Sequence, residues 1–162
     1  TEGTLCTCLL AEEYINNKDS LTIFTPDCYF EPKFYYPKET TSSGRFLWNR
    51  DKQAFDALVA TFHSKAPAHS YVRLNTNNVV QEAREKEVIS NHAIGGLYYF
   101  KSGFDFVSYA KVMIEKNIRV NNEFYIAPIF NLMISEQFKV TIDKNTRHDI
   151  LGTPEDIERH EL

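Results

Sequence analysis

The sequence predicts a single α/β domain with helices layered on a sheet, and three observations carry that reading. Runs of strand length, apolar or alternating, recur at residues 21–25, 57–62, 71–74, 79–83, 93–100 and 138–142. Stretches of helical spacing lie between and after them, around residues 5–15, 102–117, 127–135 and 153–156, which is the interleaving of α/β layering and not of an all-β domain. The 162 residues are 43% hydrophobic and 14% aromatic, enough for one buried core, and they contain no internal repeat.

Each element has a local reason. Leu5, Cys8, Leu9 and Ile15 recur at near-helical spacing, and Asn16-Asn17-Lys18-Asp19 is a polar stop, so one short helix is expected there. Leu21 to Thr25 is a compact β-branched and apolar run closed by Pro26; it reads as a buried strand that delivers Asp27 at its carboxyl end. Residues 29–55 hold Pro32, Pro37 and a polar run without a clean period, and are expected to be an irregular excursion. Ala57 to Phe62 is a second strand, and Tyr71–Leu74 with Val79–Ala83 flank the turn cluster Asn75–Asn78 as a hairpin. Glu85-Lys86 stands at the far end of that hairpin. Ala93 to Phe100 is an aromatic strand interrupted by Gly95 and Gly96, a pair that marks a bulge or a close approach by backbone or ligand. Ser102 followed by Asp105 opens a helix ending near Asn117, and Pro128 places the start of the next near Ala127. Phe138 to Ile142 alternates as a strand, and Thr153-Pro154-Glu155-Asp156 combines an N-cap, a first-turn proline and acidic first-turn residues.

Composition excludes several function classes. The net charge is −4 and the basic residues are scattered, so a nucleic acid polymer is not the expected partner. No apolar run is long enough to span a bilayer and no signal-peptide pattern opens the chain, so membrane association is not expected either. Cys6, Cys8 and Cys28 have no zinc-ligand spacing and read as small apolar fillers in a reducing, cytoplasmic compartment. None of the five histidines has a ligand or triad spacing. Asp27 past a strand end suits a ligand crevice, although Pro-Asp is also a common turn opener. Glu85-Lys86 reads as part of a binding surface or as a solvated surface pair, and Glu123 by itself as an acid in a helix's first turn.

Four blocks taken in order, Glu85-Lys86 to Ser90-Asn91, Gly96-Leu97-Tyr98-Tyr99-Phe100, Asn121-Asn122-Glu123-Phe124-Tyr125 and Gly152-Thr153-Pro154-Glu155-Asp156, resemble the sugar-1-phosphate nucleotidyltransferase family. The likeness extends to Thr1-Glu2-Gly3-Thr4 and to the strand ending in Asp27, and it is nearest to a branch of bacterial capsule and surface-polysaccharide gene sets. The resemblance implies a Rossmann-like, GT-A-like layered sheet forming one domain over residues 1–162. It implies transfer of a nucleoside monophosphate from a nucleoside triphosphate to a sugar 1-phosphate, with pyrophosphate released and Mg2+ as the cofactor.

By the same resemblance Asp27 is the metal carboxylate and, with Lys86, a catalytic residue, Lys86 facing the acceptor's phosphate. Glu85 and Glu123 accept hydrogen bonds from sugar hydroxyls, Gly95 and Gly96 let backbone approach the ligand, and Tyr98 forms an apolar wall. Gly3 and Thr4 match a turn that contacts the nucleotide base. The chain departs from the family in three ways. The family's opening glycine-rich loop, with its arginine and a later lysine, is not among these residues, so the chain taken alone is expected to bind nucleotide weakly and to pair as a homodimer through uncovered sheet. Ile150, with Asp149 one position away, stands where relatives carry a second metal carboxylate. Tyr71 stands where relatives carry a glycine near the ligand. An inactive remnant or interaction module is the alternative; a GT-A glycosyltransferase would show an Asp-x-Asp pair where this chain has Asp27-Cys28-Tyr29.

Overall fold

The aromatic run His92–Phe100 forms the longest strand, β6, and the sheet grows from both of its edges. To show this we use a computed structural model that describes residues 1–30, 54–144 and 148–161. The irregular excursion expected over residues 29–55 lies almost wholly outside them. To fix the labels in chain order, the strands are β1 (Leu21–Phe24), β2 (Cys28–Phe30), β3 (Ala57–His63), β4 (Ser70–Leu74), β5 (Val80–Glu85), β6, β7 (Val140–Lys144) and β8 (His148–Ile150). The helices are α1 (Thr4–Leu9), α2 (Glu12–Ile15), α3 (Gly103–Glu115), α4 (Ile129–Ser135) and α5 (Pro154–Glu161).

One edge of β6 pairs antiparallel with β3, which pairs parallel with β7 on its far side. The other edge is shared. β1 takes Leu97 to Phe100, with Phe24 opposite Leu97, whereas β4 meets β6 at Ala93, opposite Tyr71, and carries β5 outside it. Two strands therefore abut the same edge, one ending where the other begins, and Gly95 and Gly96 lie in the gap. Against β3 the register runs from Val59↔Tyr98 to Thr61↔Ile94, two residues on one strand against four on the other. The glycine pair is thus a bulge of even length, and Ile94, Tyr98 and Phe100 remain on one face.

That face carries the main core. Ala57, Val59, Val72, Ile94 and Phe100 pack with Phe106, Ala110 and Met113 of α3 and with Ile129, Phe130 and Met133 of α4. The opposite face buries Leu58, Ala60, Leu97 and Tyr99 beneath Phe55. The caps follow the sequence: Ser102 Oγ accepts from Asp105 N at 3.3 Å, Pro128 is the N-cap of α4, and Thr153 Oγ1 accepts from Asp156 N at 3.2 Å. In the Asn75–Asn78 turn, Asn75 Oδ1 accepts from Asn77 N and Val79 N, and Asn78 is left-handed at φ 58°.

Two expectations need correction. The single helix over residues 5–15 is instead two short ones, α1 and α2, separated at Leu10-Ala11. The bend lets the following turn satisfy the free amides of α3, with Gly103 N donating to Asp19 O at 2.8 Å and Phe104 N to Asn17 O at 2.7 Å. Likewise β1 is not buried on both faces; Leu21 and Ile23 are half-buried against the core, while Thr22 and Phe24 are exposed.

Candidate active site

The gap in the edge of β6 is where the chain places its chemistry. Thr25, one residue past β1, donates through N to Gly96 O at 2.9 Å and through Oγ1 to the same oxygen at 3.3 Å. Cys28 Sγ donates to Gly95 O at 3.3 Å. Gly96 is obligatory here. At φ 79° a side chain is strained, and a Cβ would lie 2.2 Å from Thr25 Oγ1 and 2.8 Å from Cys28 Sγ. The turn Pro26-Asp27 is thereby stitched across the bulge, and Leu151 N donates to Asp27 O at 2.8 Å from the β8 side.

Around this stitch lies a cavity of about 170 Å³ lined by Asp27, Glu85, Gly95, Gly96 and Tyr98, together with Ser70, His69 and His148. Five of the residues singled out in the sequence are brought together by three strands distant along the chain. Glu85 ends β5 opposite Ser70, which begins β4, and Ser70 Oγ donates to Glu85 Oε2. Asn131 of α4 fixes β5 two residues earlier, exchanging both hydrogen bonds with the Ala83 backbone at 2.8 Å. Burial raises the Glu85 carboxyl above its ordinary value, opposed by the Ser70 hydrogen bond and by the charge of Lys86. Tyr98 puts its ring on Phe130, with centroids 6.2 Å apart, and its hydroxyl end at the cavity; burial pushes that phenol upward, so it remains a neutral donor.

Lys86 and Glu123 sit just outside this lining. Lys86 is left-handed at φ 55°, its N donates to His69 O at 3.1 Å, and its Nζ donates to Tyr125 Oη at 2.7 Å. Glu123 lies close enough to act electrostatically on Glu85, Lys86 and Tyr125. Gly3 and Thr4 do not line the cavity. Gly3 packs on the next segment, where a Cβ would lie 2.4 Å from Phe124 O, and Thr4 begins α1. Tyr71 is fully buried and its hydroxyl donates to Ala66 O at 2.7 Å, so the neighbouring Ser70 occupies the cavity in its place.

The pairing of β2 with β8 separates the two residues near the second metal-carboxylate position. Ile150 lies opposite Cys28 and lines both the cavity and a neighbouring hollow, whereas Asp149 lies opposite Tyr29 and lines the hollow, with Asp156 and Arg159, but not the cavity. Among the described residues no three His, Cys, Asp or Glu side chains converge as a metal-ligand set. Magnesium is commonly held by only one or two carboxylates, with phosphate oxygens and water completing its shell. Asp27, an exposed hard oxygen donor at the cavity lip, fits that demand as a single ligand.

Ser70, His69, His148 and Tyr125 were not legible as site residues. His148 stacks on Phe62 at 3.7 Å between centroids and joins the cavity to the neighbouring hollow. Burial lowers His69, His92 and His148 below the ordinary 6.5, His92 also through Lys144 and His63, and His148 also through His69. A lowered histidine binds its proton less well folded than unfolded, so its stabilising share is complete above about 6.5 and is lost as pH falls below that value. Glu85 acts oppositely: its raised value favours the fold at low pH, a share lost as pH rises through that raised value. The histidines' share predicts a melting temperature that falls between pH 7.5 and 5.5. Thermal unfolding at the two values checks this, and a rise toward pH 5.5 would contradict it.

No protein-family model matches the sequence, and neither does any curated protein. Solved structures do match its fold. A nucleoside-diphosphate-sugar pyrophosphorylase from Vibrio cholerae RC9 aligns with a TM-score of 0.78 over 98% of this chain, at 21% identity. A protein assigned as a glucose-1-phosphate thymidylyltransferase from Bacillus anthracis, in complex with sucrose, aligns at 0.66 over 97% with 17% identity. The inositol-1-phosphate CTP transferase from T. maritima aligns at 0.63 over 96% with 14% identity. The chain spans 64%, 58% and 58% of those three proteins, respectively. At such identities the likeness speaks for architecture and leaves function to the site. The chain has the mixed, Rossmann-like α/β fold of these nucleotidyltransferase structures.

Proposed function

We propose that the protein is a nucleotidyltransferase that joins a nucleoside monophosphate to a sugar 1-phosphate or related phosphate ester, and that the cavity at the β6 gap holds the acceptor. The observation that carries this is the convergence of Asp27, Glu85, Gly95, Gly96 and Tyr98 on one small polar cavity. An acceptor phosphate oxygen attacks the α-phosphorus of the triphosphate, a new P–O bond forms, the bond to the bridging oxygen breaks, and pyrophosphate leaves with its electrons. Glu85, held by Ser70, accepts a hydroxyl of the acceptor, and Lys86 supplies positive charge near its phosphate. Asp27 would hold magnesium, which supplies charge neutralisation for the phosphates. The surface-polysaccharide setting rests on the Asn-Asn-Glu-Phe-Tyr and Leu-Gly-Thr-Pro-Glu-Asp signatures at 121–125 and 151–156.

The reading is tested by pyrophosphate release from each nucleoside triphosphate paired with glucose 1-phosphate, inositol 1-phosphate and other phosphate esters, in magnesium. Release that depends on both substrates is expected; none with any pair would refute the reaction. The acceptor side has its own check. Lys86→Ala should raise the acceptor's KM on the order of tenfold, as expected for one charge-assisted hydrogen bond, with the nucleotide's KM nearly unchanged. An equal loss for nucleotide would place Lys86 elsewhere in the site.

A further inference from the structure

Lys86 is a cation between two acids. Glu85 precedes it, Glu123 acts on it across the cleft, and either carboxylate would neutralise it by direct pairing. Among the described residues it forms no salt bridge; its partner is the phenol of Tyr125, with Nζ to Oη at 2.7 Å and Nζ 4.8 Å from the ring centroid, and the same hydroxyl engages the Glu123 side chain, so the phenol stands between the ammonium and that carboxylate. An ammonium has three N–H donors, and a neutral phenol occupies one without cancelling the charge. The other two stay available to a phosphate.

The arrangement is built from both sides. Lys86 adopts φ 55°, uncommon for a residue with a side chain, and its backbone is held there by the bond to His69 O. Tyr125 follows a turn in which Asn121 and Asn122 are left-handed at φ 48° and 66°, closed by reciprocal bonds between Val120 and Glu123 at 2.9 and 3.0 Å. Phe124, one residue before it, is buried, donates to Glu2 O at 2.8 Å, accepts from Leu5 N at 3.1 Å, and carries the Arg119 guanidinium 3.9 Å above its ring. The phenol thus projects from an anchored backbone, while the lysine it meets is a long, exposed side chain with four rotatable bonds to order.

We propose that Tyr125 is a positioning residue whose neutral hydroxyl, standing between Lys86 and Glu123, fixes the ammonium short of a direct ion pair, so that its charge remains available to the acceptor's phosphate. This deepens the proposed function and rests on Lys86 facing that phosphate. Tyr125 also engages Glu123, so the readout specific to Lys86 is phosphate binding, in which the removal of Tyr125 matters only while the lysine is present.

A double-mutant cycle reads that directly. Parent, Tyr125→Phe, Lys86→Ala and the double variant are compared for the acceptor's KM and kcat, and for binding of inorganic phosphate by calorimetry, with thermal unfolding as a check on folding. Tyr125→Phe alone is expected to raise the acceptor's KM and the phosphate Kd on the order of tenfold with little change in kcat. In the Lys86→Ala background it is expected to leave the phosphate Kd unchanged. A Tyr125→Phe effect of the same size in both backgrounds would show a role not routed through Lys86 and overturn the proposal, as would no effect in the parent. Transfer with an additive cycle would sink this inference alone. Coupled phosphate binding with no transfer from any acceptor would sink the proposed reaction and leave the pair standing.

Discussion

Asp27→Asn is expected to lower nucleotidyl transfer by about 100-fold or more while leaving the fold intact. The substitution keeps the shape of the side chain and removes the charge that a hard cation needs, and metal-dependent phosphate chemistry loses several kcal/mol of charge stabilisation without it. Stability should hardly change, because the Asp27 side chain is exposed and the bond that fixes the turn is made by its backbone carbonyl to Leu151 N. Asp149→Asn is the internal control. It lines the neighbouring hollow with Asp156 and Arg159 and not the cavity, and should cost far less than Asp27→Asn. Turnover at saturating magnesium for both variants checks the pair. Equal losses would mean that Asp149 swings to the metal and that the β2–β8 register misplaces it.

The second large effect falls on stability. Gly96→Ala is expected to cost about 2–4 kcal/mol, combining a left-handed backbone at φ 79° with a Cβ forced against Thr25 Oγ1 at 2.2 Å. Thr25 is β-branched and short and is held by two hydrogen bonds to Gly96 O, so it has little freedom to withdraw. Truncating it separates the two contributions. Thr25→Ala in the Gly96→Ala background should recover the steric part and leave the backbone part, about 1–2 kcal/mol. Urea midpoints for the parent and the two variants measure this, and a Gly96→Ala cost below about 0.5 kcal/mol would show that the bulge relaxes freely.

The same glycine shows what the sequence discloses and what it withholds. A Gly-Gly pair inside an aromatic strand announces a bulge, and a strand closed by Pro26 announces an exposed Asp27, because both are consequences of local backbone chemistry. The hairpin, the capped starts of α3 and α5 and the proline at the head of α4 are local in the same sense, and they appear within a residue or two of where the pattern puts them. What is not local is that β1 and β4 abut one edge of β6, leaving the glycines in the gap between them. That arrangement is a matter of long-range register and puts Ser70 into the cavity, as the equally long-range pairing of β2 with β8 does His148. Parity decides similar questions. One step along β8 separates Ile150, which reaches the cavity, from Asp149, which lines only the hollow beside it. Tyr71 and Ser70 divide in the same way, one buried in the core and the other bonded to Glu85. The break that divides residues 5–15 into α1 and α2 at Leu10-Ala11 is not announced by the apolar spacing, which continues across it.

The account stands on the acceptor occupying the gap in the edge of β6. Titration of the isotope-labelled protein with glucose 1-phosphate and with inositol 1-phosphate, read by backbone amide and lysine ε-methylene shifts, locates the bound ester without requiring turnover. The predicted result is saturable movement at Ser70, Glu85, Lys86, Gly95 and Gly96, with Ser108, Val112 and Leu132 on the outer helical groove unmoved. Shifts confined to that groove, or to the hollow around Asp156 and Arg159, would contradict the placement of the acceptor.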